Sequence, residues 1–210
     1  MSANDTPGAA ELLAALTGEA PAGDEETSRR LHARLVAAAA QAGILDVTYR
    51  TVETPVGPLL LAATAEGLVR VAYAVEDHDA VLGQLAARIS PRVLADPARL
   101  ETAARELDEY FTGRRTGFDL PLDLRLSTGF RRLVLAALPG IAYGSTASYA
   151  AMAAAAGSPR AVRAAGTACA TNPLPVVLPC HRVIKSDGTL GRYAGGEAAK
   201  QALLTLEGAA

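Results

Sequence analysis

Between residues 47 and 75 the apolar and β-branched residues gather into three short runs, 47–52, 59–63 and 68–73, separated by Pro55-Val56-Gly57-Pro58 and by Glu66-Gly67. Short runs of this kind bounded by turn formers predict an antiparallel meander. Helical spacing follows. Segments at about 77–89 and 97–112 are predicted as helices, the second with Leu100, Ala103, Ala104, Leu107 and Phe111 on one face before Gly113. Residues 114–127, with Gly117 and Pro121, predict an extended connection. Phe130, Leu133, Val134, Ala137 and Leu138 then share a helical face that stops at Pro139-Gly140. Ser148 is a good N-cap for a short helix carrying Tyr149, Met152 and Ala153 and ended by Gly157. Ser158-Pro159 predicts the start of another, running to about Thr171. Two short helices joined through Gly157-Ser158-Pro159 predict a helix-turn-helix whose second member is the recognition helix. Prolines at 173, 175 and 179 predict that 173–179 is extended and delivers Cys180 from the interior. Upstream, 1–27 has no periodicity, and 28–42 reads as an Ala- and Arg-rich helix before Gly43.

This order of elements predicts a mixed α/β (α+β) protein. Residues 1–45 form an appendage, partly disordered with one helix. Residues 46–113 form a small antiparallel-sheet domain with helices, 114–127 a linker, and 128–210 a mostly helical, winged helix-turn-helix-like domain. Half of the residues are hydrophobic, ample for a core in 210 residues. No apolar run reaches the roughly 18–20 residues of a membrane span, and the first residues lack a secretory signal pattern, so a cytoplasmic, non-membrane protein is expected.

Charge divides the chain unevenly. From Thr128 onward eight basic residues face three acidic ones, a net of +5, whereas residues 1–127 carry twelve against nineteen, a net of −7. A polyanionic partner for the second segment becomes plausible despite the overall −2. That same segment holds the only two cysteines, Cys169 and Cys180. Two thiols with no framework spacing fit a reducing compartment, and Cys169, Cys180 and His181 lack ligand spacing, so neither a disulfide nor a metal is expected. In Leu178-Pro179-Cys180-His181-Arg182-Val183 a thiol lies beside a titratable base and a fixed cation, and such neighbours lower a thiol pKa from about 8.5 to roughly 3.5–7.5. The competing reading is a buried cysteine acting as a small hydrophobe.

The run from Asn172 through Pro179-Cys180-His181-Arg182-Val183, with Gly191-Arg192-Tyr193-Ala194-Gly195-Gly196 and a final helix ending at Glu207-Gly208, closely resembles the O6-alkylguanine-DNA alkyltransferases. The resemblance spans about Asp46 to Gly208. It implies flipping of O6-alkylguanine from double-stranded DNA and irreversible alkyl transfer to Cys180, with no cofactor and a monomeric protein. By the same resemblance His181, Glu207, Tyr149 and Asn172 join Cys180 as catalytic residues. Tyr149 donates to the base, Glu207 orients His181, His181 reaches the thiol through a water, and Asn172 ties the recognition helix to the active-site turn. Tyr193, Ala194, Gly195 and Val183 are implied to bind the base, the Cys180 and Val183 carbonyls accepting from its exocyclic amine. Arg163, Gly166, Ser148, Ala161 and Thr167 are implied to meet DNA, with Arg163 filling the gap. Arg182 is expected to fix local structure and to bias the thiol toward thiolate. Ala194, Ala170, Thr171 and Thr167 depart from the family's usual residues. Cys169 reads as a buried hydrophobe, and His32 and His78 as surface histidines.

Two other readings compete. One is a helix-turn-helix sensor of alkylation or oxidation without repair activity, against which the lack of a dimerisation heptad and sensor domain weighs. The other is a thiol hydrolase built on Cys180, His181 and Glu207, which would need a regenerating water and donors aimed at an oxyanion.

Overall fold

The computed structural model describes residues 22–209, so the irregular stretch expected before residue 22 lies outside the described residues. Helix α1 (Ala22–Gln41) begins six residues ahead of the expected Ser28 and falls in a unit separate from the compact body that starts at Ile44. The three apolar runs become β1 (Val47–Val52), β2 (Leu59–Thr64) and β3 (Gly67–Tyr73), joined antiparallel with Val52 opposite Leu59 and Leu59 opposite Tyr73. After α2 (His78–Arg88) a short β4 (Val93–Ala95) pairs parallel with β1 and gives the order β3-β2-β1-β4. The sheet is therefore mixed, not purely antiparallel. Three residues are too few to show a period of two.

Side-chain alternation in these strands feeds two cores at once. Leu59, Leu61, Val71 and Tyr73 point into the larger cluster, while Leu60, Ala62, Val69 and Ala72 meet Val81 and Leu85 of α2. Both faces are covered, which is why β2 reads as a continuous apolar run. The larger cluster continues through Leu107 and Tyr110 of α3 (Glu101–Phe111) to Val134 and Leu135 of α4 (Gly129–Ala137). Residues from both expected domains thus share one core. The connection between them is itself tied to the sheet: Leu68 N–H donates to Pro121 O (2.8 Å) and Asp123 N–H to Leu68 O (2.9 Å). Gly67 makes this possible, since its φ is +144° and a Cβ there would stand 2.2 Å from Pro121 O.

Beyond α4 come β5 (Ala147–Ser148), α5 (Tyr149–Ala155), α6 (Val162–Ala170), a single 3₁₀ turn at Cys180–Arg182, β6 (Val183–Ile184) parallel to β5, and α7 (Gly196–Leu206). Ser148 caps α5 by accepting from Ala151 N–H at 3.1 Å. Ser158-Pro159 does not open α6. Ser158 N–H instead donates to Ala153 O and Gly157 N–H, at φ +77°, to Ala154 O, a Schellman pairing that spends Ser158 on ending α5. The segment 173–179 is also not extended. It folds back through Leu178 N–H to Leu174 O (2.8 Å), with Val176 at φ +71° and every residue buried. Proline excludes a helix here but does not impose a strand.

Gly67→Ala should lower unfolding free energy by more than about 1 kcal/mol, whereas Gly83→Ala, inside α2 with nothing within 4 Å, should raise it by roughly 0.5–1 kcal/mol, both read by urea denaturation.

Candidate active site

The 173–179 fold-back has few backbone pairings of its own, so its polar groups depend on one side chain. Asn172, 1% exposed just beyond α6, accepts Leu174 N–H on Oδ1 (2.9 Å) and donates through Nδ2 to Leu178 O (2.9 Å) and Cys180 Sγ (3.1 Å). Pro173 O is held from the sheet side by Val71 N–H (2.8 Å) and Arg70 Nη1 (3.3 Å). The chain then enters the 3₁₀ turn with Cys180 first. Cys180 is 2% exposed. Burial pushes Cys180 up to about 11, against the downward pull of Asn172 and of Lys200. The resting group is a neutral thiol at pH 7.

Arg182 does not supply the activation expected of it. Its guanidinium grips Glu207, Nε to Oε2 at 2.8 Å and Nη2 to Oε1 at 2.9 Å, and Nη1 donates to Ile141 O. The buried cation acting on the thiol is Lys200, wholly buried, whose Nζ donates to Val183 O at 2.6 Å. Burial lowers the pKa of Lys200 while the thiols pull it back up.

Glu207, directly after α7, also takes Tyr110 O–H on Oε1 at 2.6 Å and lies 2.9 Å from His181 Nε2. Burial alone would raise its pKa, but the hydrogen bonds from His181, Arg182 and Tyr110 outweigh it and hold Glu207 at about 2. His181, fully buried, moves down because burial disfavours the imidazolium more than Glu207 favours it. A carboxylate only accepts, so the proton of neutral His181 sits on Nε2. Nδ1 is left as a buried acceptor with no protein partner.

A separate cleft of about 500 Å³ opens along α6 between Tyr149, Arg163, Gly166, Thr167, Lys185, Gly191 and Arg192. Three of its lining residues are basic and none is acidic. Arg163 is exposed and makes no ion pair among the described residues. Tyr149 forms one wall. Its phenol is pushed up to about 12, chiefly by burial, and stays protonated. A Cβ on Gly191 would lie 2.0 Å from Tyr149 Oη, so the loop before α7 can pass only as glycine.

Comparison with known proteins settles the family. Residues 47–124 match the ribonuclease-like domain of 6-O-methylguanine DNA methyltransferase, and residues 129–209 match its DNA binding domain. The chain belongs to the methylated-DNA–protein-cysteine methyltransferase family. The protein of that name from Methanosarcina barkeri is 40% identical over 159 residues, covering 76% of this chain and 96% of its own. The Mycobacterium tuberculosis protein is 40% identical over 161 residues, covering 77% and 92%. The crystal structure of the M. tuberculosis O6-methylguanine methyltransferase superposes with a TM-score of 0.68 at 39% identity over 77% of this chain and 93% of that one; its complex with DNA gives 0.67 at 39%, over 77% and 92%.

The remaining family positions distribute unevenly. Tyr193, 9% exposed, sets its ring edge-on to His181 at 6.3 Å and shares a 2.9 Å hydrogen bond with Tyr73 Oη. Gly195 packs on the Tyr73 ring, where a Cβ would lie 2.6 Å away. Ala194 lines a different cavity, of about 270 Å³, with Arg70, Asn172 and Pro173. The Cys180 and Val183 carbonyls each already accept one hydrogen bond, from Val183 N–H and from Lys200. Ser148 spends its hydroxyl on the α5 cap, Thr167 bonds back to Arg163 O, and Ala161 stands at the start of α6 outside the cleft. Cys169 is buried, its thiol pushed up to about 12 mainly by burial. His78 is half-buried with Nε2 enclosed, not a surface histidine.

Sequence reasoning missed Tyr110, Tyr73 and Lys200. Each lies on an apolar helical or strand face, where a polar tip leaves no mark in the periodicity.

Acid should expose the Glu207 network. Its folded pKa lies below the ordinary 4.5, so its stabilisation is present above 4.5 and is lost as pH falls toward 2; depressed His181 adds loss from 6.5 downward. Unfolding free energy should therefore fall on acidification from pH 6.5. Glu207→Gln, which strands buried Arg182, should cost about 3–5 kcal/mol at pH 7 and flatten the acid limb, as followed by thermal and urea unfolding.

Proposed function

We propose that this protein repairs double-stranded DNA by turning an O6-alkylguanine out of the helix and taking its alkyl group irreversibly onto Cys180. It is a methylated-DNA–[protein]-cysteine S-methyltransferase that each molecule performs once. The observation that carries the reading is Asn172, whose single amide joins the end of α6 to Cys180 Sγ at 3.1 Å. The helix that would lie on DNA and the nucleophile that would meet its base are thereby one rigid piece.

The basic cleft supplies the sequence-independent attraction to phosphates. A base inside the duplex cannot reach a buried thiol, and extruding it costs a few kcal/mol. Arg163, exposed on α6 at that cleft, fills the space the base leaves. Gly166 keeps the helix face low: a Cβ there would touch only Tyr149, at an ordinary 3.8 Å, so the fold itself does not demand glycine. A close neighbour from outside the protein does.

With the base seated, the thiol proton passes through a bridging water to His181 Nδ1, while Glu207 holds the Nε2 proton. Sulfur attacks the alkyl carbon as the bond from that carbon to O6 breaks, and the bonding pair leaves with the guanine. Tyr149, a neutral phenol, donates to the departing base, and Lys200 compensates charge at the sulfur. Tyr193 and the backbone of 194–195 frame the base. The product is a thioether, whose carbon–sulfur bond is stable to water, so the transfer is irreversible. On this reading the protein acts as a monomer. Among the described residues no helix is long and apolar enough to cross a membrane; on this reading the protein works where its DNA is, in the cytoplasm.

Incubation with duplex DNA carrying O6-methylguanine should add one methyl to Cys180 by peptide mass, with stoichiometric loss of the lesion. Repeated turnover, or an unmodified Cys180 with the lesion intact, would leave the hydrolase or sensor reading instead. Arg163→Ala should slow transfer from duplex DNA well beyond its effect on free O6-benzylguanine; equal losses on both substrates would remove the base-turning role.

A further inference from the structure

The segment matched to the ribonuclease-like domain contributes no group to the chemistry so far described, yet one of its side chains enters the active-site network. Tyr110 of α3 is fully buried, and its ring is fixed edge-on or tilted against Phe111, Phe118 and Tyr143 at 5.3–6.2 Å. Its hydroxyl reaches Glu207 Oε1 at 2.6 Å, the shortest contact that carboxylate makes, and lies 3.5 Å from His181 Nε2. Oε1 thus serves Tyr110, His181 and Arg182 together.

We infer that Tyr110 is a positioning residue for alkyl transfer, setting through Glu207 how readily His181 accepts the thiol proton. This rests on the reading of Cys180 as the alkyl acceptor. The physical argument is competition for one oxygen. Charge that Oε1 gives to the Tyr110 hydroxyl is not available to His181, so the phenol restrains the carboxylate's pull on the imidazole proton. A base must be unprotonated to accept, and restraint keeps His181 in that form at neutral pH. Tyr110 is among the donors that hold Glu207 down, and His181 stays below its ordinary value chiefly because it is buried. Other groups facing the pair are Tyr143 ahead of β5, Arg182 in the 3₁₀ turn, Tyr193 before α7 and Lys200 within it. Among the described residues that donate to Glu207 oxygens, only Tyr110 comes from the first segment.

The test is the pH dependence of single-turnover transfer from free O6-benzylguanine, which removes DNA binding from the measurement. Tyr110→Phe keeps the ring and deletes the donor. The acid limb should move up by about half a unit, slowing transfer about threefold at pH values below the limb and by less than about twofold at pH 7. Replacing Tyr110 with 3,5-difluorotyrosine, a stronger donor of nearly the same shape, should move that limb down, and this arm stands even if the Phe variant folds poorly. An unshifted limb in the fluorinated protein, or a Phe variant whose loss tracks its melting temperature with the limb in place, overturns the proposal. Absence of Cys180 alkylation in the unmodified protein would sink the underlying reading, and this one with it.

Discussion

The carboxylate of Glu207 is the constraint on which the rest of the active site depends. It sits in the core without ordinary solvation, and an unpaired charge there would cost several kcal/mol. Its neighbours remove that cost by donation: Arg182 with two N–H groups, His181 with one, Tyr110 with a hydroxyl, and Gly144 N–H at 3.5 Å. These donors come from α3, from the loop before β5 and from the 3₁₀ turn. One ion therefore fixes three chain segments against the end of α7. The shared core around it, filled from both matched segments, keeps water from competing for those bonds.

Asn172 does for the backbone what Glu207 does for the charges. The stretch from Pro173 to Pro179 lacks the donors a strand or helix would need, and Val176 at φ +71° adds strain of order 1–3 kcal/mol. A planar amide with a donor and an acceptor end bridges Leu174 and Leu178 and still reaches sulfur. An aspartate at 172 would keep the acceptor but lose both donations. The side chain that makes the loop foldable is thus also the one that partners the thiol.

Most of the fold was legible because it obeys a period. The three strands, α2, α3, α4 and the Ser148 cap all lie where alternation or helical spacing puts them. Reading failed where two local rules competed for one residue, as at Ser158, which suits an N-cap but is taken by the stop of α5. It failed again where a residue type excludes without prescribing, as with the prolines around Val176. The active-site pattern was legible as a motif, since Cys180, His181 and Asn172 stand close in sequence and Glu207 closes the last helix. Tyr110, some seventy residues upstream of His181, was not, because its hydroxyl is a long-range partner on an otherwise apolar face.

Adjacency in sequence also misled about the thiol. His181 and Arg182 look like activators of Cys180, yet both turn to Glu207, and burial leaves the sulfur protonated with a pKa pushed up to about 11. For a protein that reacts once, this is the useful arrangement. A standing thiolate would be open to oxidants and stray electrophiles, and each such event would remove a molecule from service. On the proposed mechanism a neutral buried thiol is protected until a base occupies the site, and ionisation then requires only that His181 Nδ1 take the proton while Lys200 offsets the charge. On that reading selectivity resides in the cost of ionising Cys180, and the network around Glu207 is proposed to set how that cost is met.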